Sequence, residues 1–87
     1  MAEIEIYTSP WCPFCIAAKR LLDNKGLAYN EIEVTMKSRA RREMIERAGG
    51  NHKVPQIFVD GQYIGDCDDI MALEAEGELD VRLGLGS

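Results

Sequence analysis

The dipeptide Asp60-Gly61 constrains this chain more than any other pair of neighbours. It stands between two short runs, Gln56-Ile57-Phe58-Val59 and Gln62-Tyr63-Ile64-Gly65, that suit extended backbone. A two-residue type I′ turn needs positive φ at both central positions, and Asp-Gly accepts it. The spacing therefore predicts an antiparallel hairpin. Ile4-Glu5-Ile6-Tyr7 alternates and predicts an earlier strand. Leu27 to Val34 predicts another, with Tyr29, Ile32 and Val34 as its apolar residues. Between these two runs Phe14, Ala18, Leu21 and Leu22 recur at helical spacing and make one apolar face. Pro13 suits that helix's first turn, and Gly26 a left-handed end. Two strands joined through a helix are expected to be parallel, with a right-handed crossover.

Ser38 is the expected cap of a second helix from about Arg39 to Ala48, with Ala40, Met44 and Ala48 facing inward. Arg39 with Glu43, and Arg42 with Glu46, have the spacing of ion pairs along a helix. Gly49-Gly50 ends it. A third helix is expected from about Asp68 to Ala75, its acids at the positive end of the dipole, with Gly77 as its stop. Leu79, Val81 and Leu83 add a last apolar turn. The order is β-α-β-α-β-β-α: an α/β fold with a mixed four-stranded sheet flanked by three helices. With 87 residues, one domain over 1–87 and a modest core are expected.

Charge narrows the function. The chain carries 10 basic and 15 acidic side chains, a net of −5, which argues against general nucleic-acid binding. The signs are segregated. Lys37 to Lys53 holds six basic residues against two acids, and Asp60 to Asp80 holds eight acids and no Lys or Arg. Two solvated faces of opposite sign explain this; so does a site flanked by both signs and suited to a small zwitterion. No apolar run is long enough to span a membrane, and Met1-Ala2-Glu3-Ile4-Glu5 lacks the basic start and apolar stretch of a secretory signal. The expectation is a cytoplasmic protein with no membrane partner.

Cys12-Pro13-Phe14-Cys15 carries the chemistry. It lies where a strand hands over to a helix. Unpaired N–H groups and the dipole at a helix N-terminus favour a thiolate, the reactive form of cysteine. The spacing brings Cys15 back toward Cys12. Because Cys15 shares spacing with Ala18 and Leu22, it is expected to be the more buried thiol. Cys12 would then attack and Cys15 resolve. Zinc is the main alternative for any C-x-x-C, and a four-ligand site would need Cys67 and His52 as well. No second close ligand pair is present, and a redox motif within a βαβ pattern is the stronger reading. A structural disulfide and two inert buried cysteines are weaker alternatives. Cys67 reads as a small, semi-buried residue, with regulatory oxidation or ligand contact as alternatives. His52 reads as a loop residue near the site. Trp11 either shields the thiolate, offers a contact face or simply packs.

The chain resembles the dithiol glutaredoxins of the bacterial class over almost its whole length. The likeness rests on Ile6-Tyr7-Thr8, Cys12-Pro13-Phe14-Cys15, Val54-Pro55-Gln56-Ile57-Phe58 and Ile64-Gly65-Asp66-Cys67-Asp68-Asp69. The resemblance implies a thioredoxin fold and a glutathione-dependent thiol–disulfide oxidoreductase. Its substrates would be protein disulfides and protein–glutathione mixed disulfides. Glutathione would be a co-substrate, with glutathione reductase and NADPH upstream, and no metal or tightly held cofactor. A monomer is expected. The resemblance also implies a glutathione groove built from Phe14, Val54, a cis Pro55, Cys67, Asp68 and Asp69. Val54 would pair its backbone with the tripeptide, and the two aspartates would hold its γ-glutamyl end.

Four departures from the family pattern stand out. Ser9 replaces a frequent Lys, so the cation for the glycine carboxylate would come from Arg41, Arg42 or Lys53. Lys53 itself replaces Thr. The loop Gly49-Gly50-Asn51-His52 looks one residue longer. Asp66 replaces the second Gly of a Gly-Gly pair, where it either crowds the ligand or caps the helix; Asp66→Gly is expected to tighten glutathione binding. Two rival functions keep the same fold. One is an iron–sulfur module bridging two subunits through the first Cys and glutathione. The other is a glutaredoxin-shaped protein fed by thioredoxin reductase.

Overall fold

The computed structural model describes residues 3–84. Strands β1 (Ile4–Thr8), β2 (Asn30–Glu33), β3 (Gln56–Val59) and β4 (Gln62–Gly65) form one sheet in the order β2-β1-β3-β4. β1 pairs parallel with β2 and antiparallel with β3, and β3 pairs antiparallel with β4. Helix α1 (Pro13–Asn24) provides the β1–β2 crossover, α2 (Ser38–Arg47) leads to β3, and α3 (Cys67–Ala75) follows β4. This is the mixed sheet expected from the sequence. Beyond the three expected helices, Leu79–Arg82 forms a short fourth, α4, at the place of the anticipated apolar turn.

Alternation in β1 and β3 divides the core in two. Ile4, Ile6, Ile57 and Val59 point to one face, where Ala18 and Leu22 of α1, Ile70 of α3, and Leu79 and Leu83 cover them. Tyr7 and Phe58 point to the other, against Val34 and Met44 of α2, with Ala40 and Ala48 at its margin. Each fully buried aliphatic side chain here is worth about 1.5–3 kcal/mol. Arg47 fastens α2 to the second face. Its guanidinium lies 4.1 Å from the Phe58 ring centroid, donates to both Glu5 oxygens at 2.8 and 3.2 Å, and donates to the Tyr7 hydroxyl at 2.8 Å. The hairpin turn has Asp60 at φ +51° and Gly61 at φ +83°, as the dipeptide requires.

Several local expectations are corrected. β2 covers only Asn30–Glu33 of the predicted Leu27–Val34: its ladder with β1 runs from Glu5–Asn30 to Thr8–Glu33, where β1 ends, and the Leu27 N–H is still bonded to the Leu22 carbonyl of α1. Ser38 is the first residue of α2 and not its cap; Lys37 holds that position with no side-chain hydrogen bond. α3 begins one residue earlier, at Cys67. The pairs Arg39–Glu43 and Arg42–Glu46 form no ion pair; among the described residues the bridges are Lys19–Glu31, Lys25–Glu74, Lys25–Asp80 and Arg47–Glu5. Solvated pairs of this kind gain too little to fix two long side chains. Phe14 leaves the apolar face assigned to it: it is 58% exposed, whereas Ala18 and Leu22 are buried.

Candidate active site

The carboxyl end of β1 delivers the chain to α1 through the turn Ser9–Cys12, closed by a 3.3 Å bond from the Cys12 N–H to the Ser9 carbonyl. Cys12 is the N-cap of α1, and Pro13 follows at the first helical position. The Cys12 sulfur accepts the Cys15 N–H at 3.3 Å. An N-cap side chain takes up one of the backbone donors a helix start leaves unpaired, and here sulfur does it. The same sulfur donates to the Val54 carbonyl at 3.7 Å. All three cysteines are free thiols, Cys12 partly exposed and the other two buried.

Cys15 lies beneath Cys12 and is 1% exposed. Burial pushes its thiol up to about 12, aided by its hydrogen bond with Cys12 and opposed by a backbone bond with Ser9. Cys67 is also held above the ordinary thiol range, by burial first and then by the carboxylates of Asp68 and Asp66. Both are neutral thiols near pH 7.

A groove of about 180 Å³ adjoins Cys12, lined by Phe14, Lys53, Val54, Pro55, Asp66, Cys67 and Asp68. The Val54–Pro55 bond is cis. The groove thus brings together six of the residues expected from the sequence, and Asp66 joins them. Two expected residues stand apart from its lining. Arg42 is exposed on α2 and is not a wall residue; its neighbour Arg41 donates to the His52 carbonyl at 3.3 Å. Asp69 spends its carboxylate on α3: it accepts the Asp66 N–H at 3.1 Å, while Asp66 accepts the Asp69 N–H at 3.0 Å. This reciprocal capping box answers the question the sequence left open at Asp66, whose carboxylate caps the helix and also lines the groove.

The loop before Val54 is set by residues that pattern reading missed. Asn51 accepts the Lys53 N–H at 2.9 Å and donates to the Tyr63 hydroxyl at 3.2 Å, and the buried Gln56 amide donates to the Asn51 carbonyl at 2.7 Å. An Asn two residues before Lys53 is a visible signal for such an Asx turn; the partners on β3 and β4 leave no local trace. Among the described residues no group of three His, Cys, Asp or Glu side chains is disposed to hold a metal ion.

This combination of sheet order, cap sulfur and adjoining groove defines a thioredoxin-fold thiol oxidoreductase. Comparison with known proteins narrows the class. The glutaredoxin family model matches residues 4–64. Glutaredoxin 3 of Escherichia coli is 50% identical over 83 residues, covering 95% of this chain and 99% of its own length. Glutaredoxin from Brucella melitensis has a solution structure that superposes with a TM-score of 0.83 at 47% identity, covering 100% of this chain and 94% of its own. A buckwheat glutaredoxin–glutathione complex superposes at 0.84 with 27% identity, covering 95% of this chain and 77% of its own. The chain belongs to the glutaredoxin family.

Proposed function

We propose that this protein is a glutathione-dependent thiol–disulfide oxidoreductase that reduces protein–glutathione mixed disulfides and protein disulfides. One observation carries the reading: the Cys12 sulfur stands 3.7 Å from the Val54 carbonyl of a groove that holds Lys53, Asp66 and Asp68. Glutathione offers a thiol, two carboxylates and an ammonium, and the groove offers charges of both signs. Lys53 pairs with a ligand carboxylate, taking the place of the cation that Ser9 lacks. Asp68 takes the γ-glutamyl ammonium, and the first-turn N–H groups of α3 its α-carboxylate. Val54 offers its backbone to the tripeptide, Pro55 and Cys67 supply wall, and the Phe14 ring covers the peptide. Asp69 acts through the cap, holding that first turn in place. Arg42 is left as a longer-range cation.

In the glutathione route, the Cys12 thiolate attacks the glutathione sulfur of the mixed disulfide. The old S–S bond breaks, and the substrate sulfur leaves as a thiolate and takes up a proton. A second glutathione thiolate then attacks the glutathione sulfur held on Cys12, which restores the Cys12 thiolate and releases glutathione disulfide. With a protein disulfide, Cys12 forms the mixed disulfide and Cys15 gives up its proton and attacks the Cys12 sulfur. The substrate leaves with two thiols, and two glutathiones reopen the Cys12–Cys15 bond. Cys15 stays neutral until this step, so it does not compete as a nucleophile.

Glutathione reductase and NADPH recycle the glutathione disulfide. The protein works as one domain over 1–87, as a monomer, in a reducing compartment such as the cytoplasm; no helix among the described residues is long and apolar enough to cross a membrane. A coupled assay tests the reading: NADPH loss with glutathione reductase, glutathione and a glutathione–2-mercaptoethanol mixed disulfide. Wild type turns over, Cys12→Ser does not, and Cys15→Ser retains activity on this substrate while losing it on protein disulfides. A folded, reduced wild type without turnover would overturn the reading in favour of reduction by thioredoxin reductase or of iron–sulfur cluster binding.

A further inference from the structure

Two tight turns stand side by side next to Cys12. In one, Ser9–Cys12, the corner residues are Pro10 and Trp11; in the other, Val34–Lys37, they are Thr35 and Met36. Each is closed by a 3.3 Å backbone bond, and the Ser9 and Thr35 hydroxyls bond across them at 2.9 Å. Turn corners are ordinarily Gly, Pro, Asn, Asp or Ser, as at Pro10. Here each presents a large apolar side chain, and Trp11 and Met36 are both 89% exposed. Ile16, one helical turn beyond Cys12, is 50% exposed. Neither Trp11 nor Met36 lines the groove. Lys37 follows Met36 directly and Arg39 comes two residues later, both exposed and without an ion partner among the described residues.

We propose that Trp11, Met36 and Ile16 form a docking surface for the protein half of the substrate. The partner chemistry it selects is a reactive cysteine flanked by an apolar side chain and an acidic one. This rests on the proposed glutathione reaction and assigns its substrate preference. Cys12 must reach bonding distance of a sulfur on the partner, so the rim of Cys12 is covered in every mixed disulfide. The groove side of that rim takes the glutathionyl half. The turns bound the other side, so the partner's own side chains meet Trp11 and Met36. A rigid ring and an adaptable thioether accept varied apolar side chains. The unpaired Lys37 and Arg39 favour a carboxylate beside them and disfavour a cation.

The test uses two synthetic glutathionylated peptides alike except beside the cysteine, one with Leu and Glu, the other with Ser and Lys. Wild type prefers the first in kcat/KM by about tenfold, the worth of one partly buried apolar side chain with a charge beside it. The double variant Trp11→Ser/Met36→Ser discriminates by no more than about twofold to threefold, the residue left by the charge. Both proteins keep equal kcat/KM on the glutathione–2-mercaptoethanol disulfide. Equal wild-type rates on the two peptides, or full discrimination by the double variant, overturn the docking surface alone. No wild-type turnover of the small disulfide overturns the glutathione reading and this proposal with it. A wild type that light scattering finds dimeric, and a double variant that it finds monomeric, would assign the patch to a second copy and overturn the proposal.

Discussion

Two helices begin beside the groove, and their first turns solve the same problem differently. At α1 the cap is the Cys12 sulfur, which accepts the N–H of Cys15 three residues on, at 3.3 Å. At α3 the cap is the Asp66 carboxylate, which accepts the N–H of Asp69 three residues on, at 3.0 Å. The return bond differs. Asp69 reaches back to the Asp66 N–H, whereas the Cys12 N–H is taken by Ser9 and Cys15 returns nothing to it. A box closed in both directions fixes a turn. A cap held by one weak sulfur contact leaves its sulfur free to exchange partners. Each first turn also contains a buried thiol, Cys15 in one and Cys67 in the other. The contrast teaches that two helix starts can place their thiols differently: the Cys12 sulfur is itself the cap and partly exposed, whereas Cys67 is buried beside a carboxylate cap.

The largest effect expected from breaking this arrangement comes at Gly65. Its φ is +137°, a backbone conformation that L side chains rarely adopt, and an added Cβ would land on the Cβ and carboxylate of Asp69. Gly65→Ala must strain the backbone and push Asp69 out of the box. The expected loss is about 2–3 kcal/mol, combining backbone strain with the cap. Urea unfolding measures it. A loss below about 0.5 kcal/mol, within the range of an ordinary surface change, would show that the α3 turn is not held as described.

Asp66→Gly is a milder change at the same place. Glycine is a tolerated N-cap, so stability falls by only a few tenths of a kcal/mol. The groove loses one negative charge, and the Asp69 N–H loses its side-chain acceptor, while the bond from the residue-66 N–H to the Asp69 carboxylate can remain. Glutathione, an anion overall, is expected to bind about twofold to threefold more tightly, the scale of one solvent-exposed charge. Titration calorimetry decides; equal or weaker binding would mean that the Asp66 carboxylate contributes to ligand recognition and does not oppose it.

The sequence carried the architecture because turn chemistry and alternation are local. Asp60-Gly61 located the hairpin to the residue, and the C-x-x-C with its proline located the start of α1. It failed where the answer lay in partners distant along the chain. Nothing near Arg47 announces its contacts with Glu5, Tyr7 and Phe58. Phe14 fitted a helical stripe, yet the turn that aims Cys12 outward carries Phe14 to the surface with it. The sequence allows Asp66 as a cap, but the reciprocal bond from Asp69 shows only in the folded turn. Arg42 and Arg41 are adjacent in sequence, and only the packing of the loop shows that Arg41 reaches it.

The finest test of the comparison concerns Cys67. Burial raises its pKa first, and the carboxylates of Asp68 and then Asp66 raise it further. If the negative charge at this turn is part of what keeps the thiol inert, then neutralising it should loosen the restraint without moving the helix. Asp68→Asn leaves the capping box of Asp66 and Asp69 intact and removes one charge. The sign follows directly: a repelling anion is gone, so the pKa falls and the thiolate fraction at pH 8 rises. In a Cys12→Ser/Cys15→Ser background, iodoacetamide labelling of Cys67 is expected to quicken about twofold to threefold, the effect of a single well-solvated charge. The ratio should shrink toward one as pH rises and both proteins ionise. Mass spectrometry of labelled peptides gives the rates. An unchanged rate at pH 8 would mean that burial alone silences Cys67, and that the two helix starts differ in access to the sulfur more than in the charge of their caps.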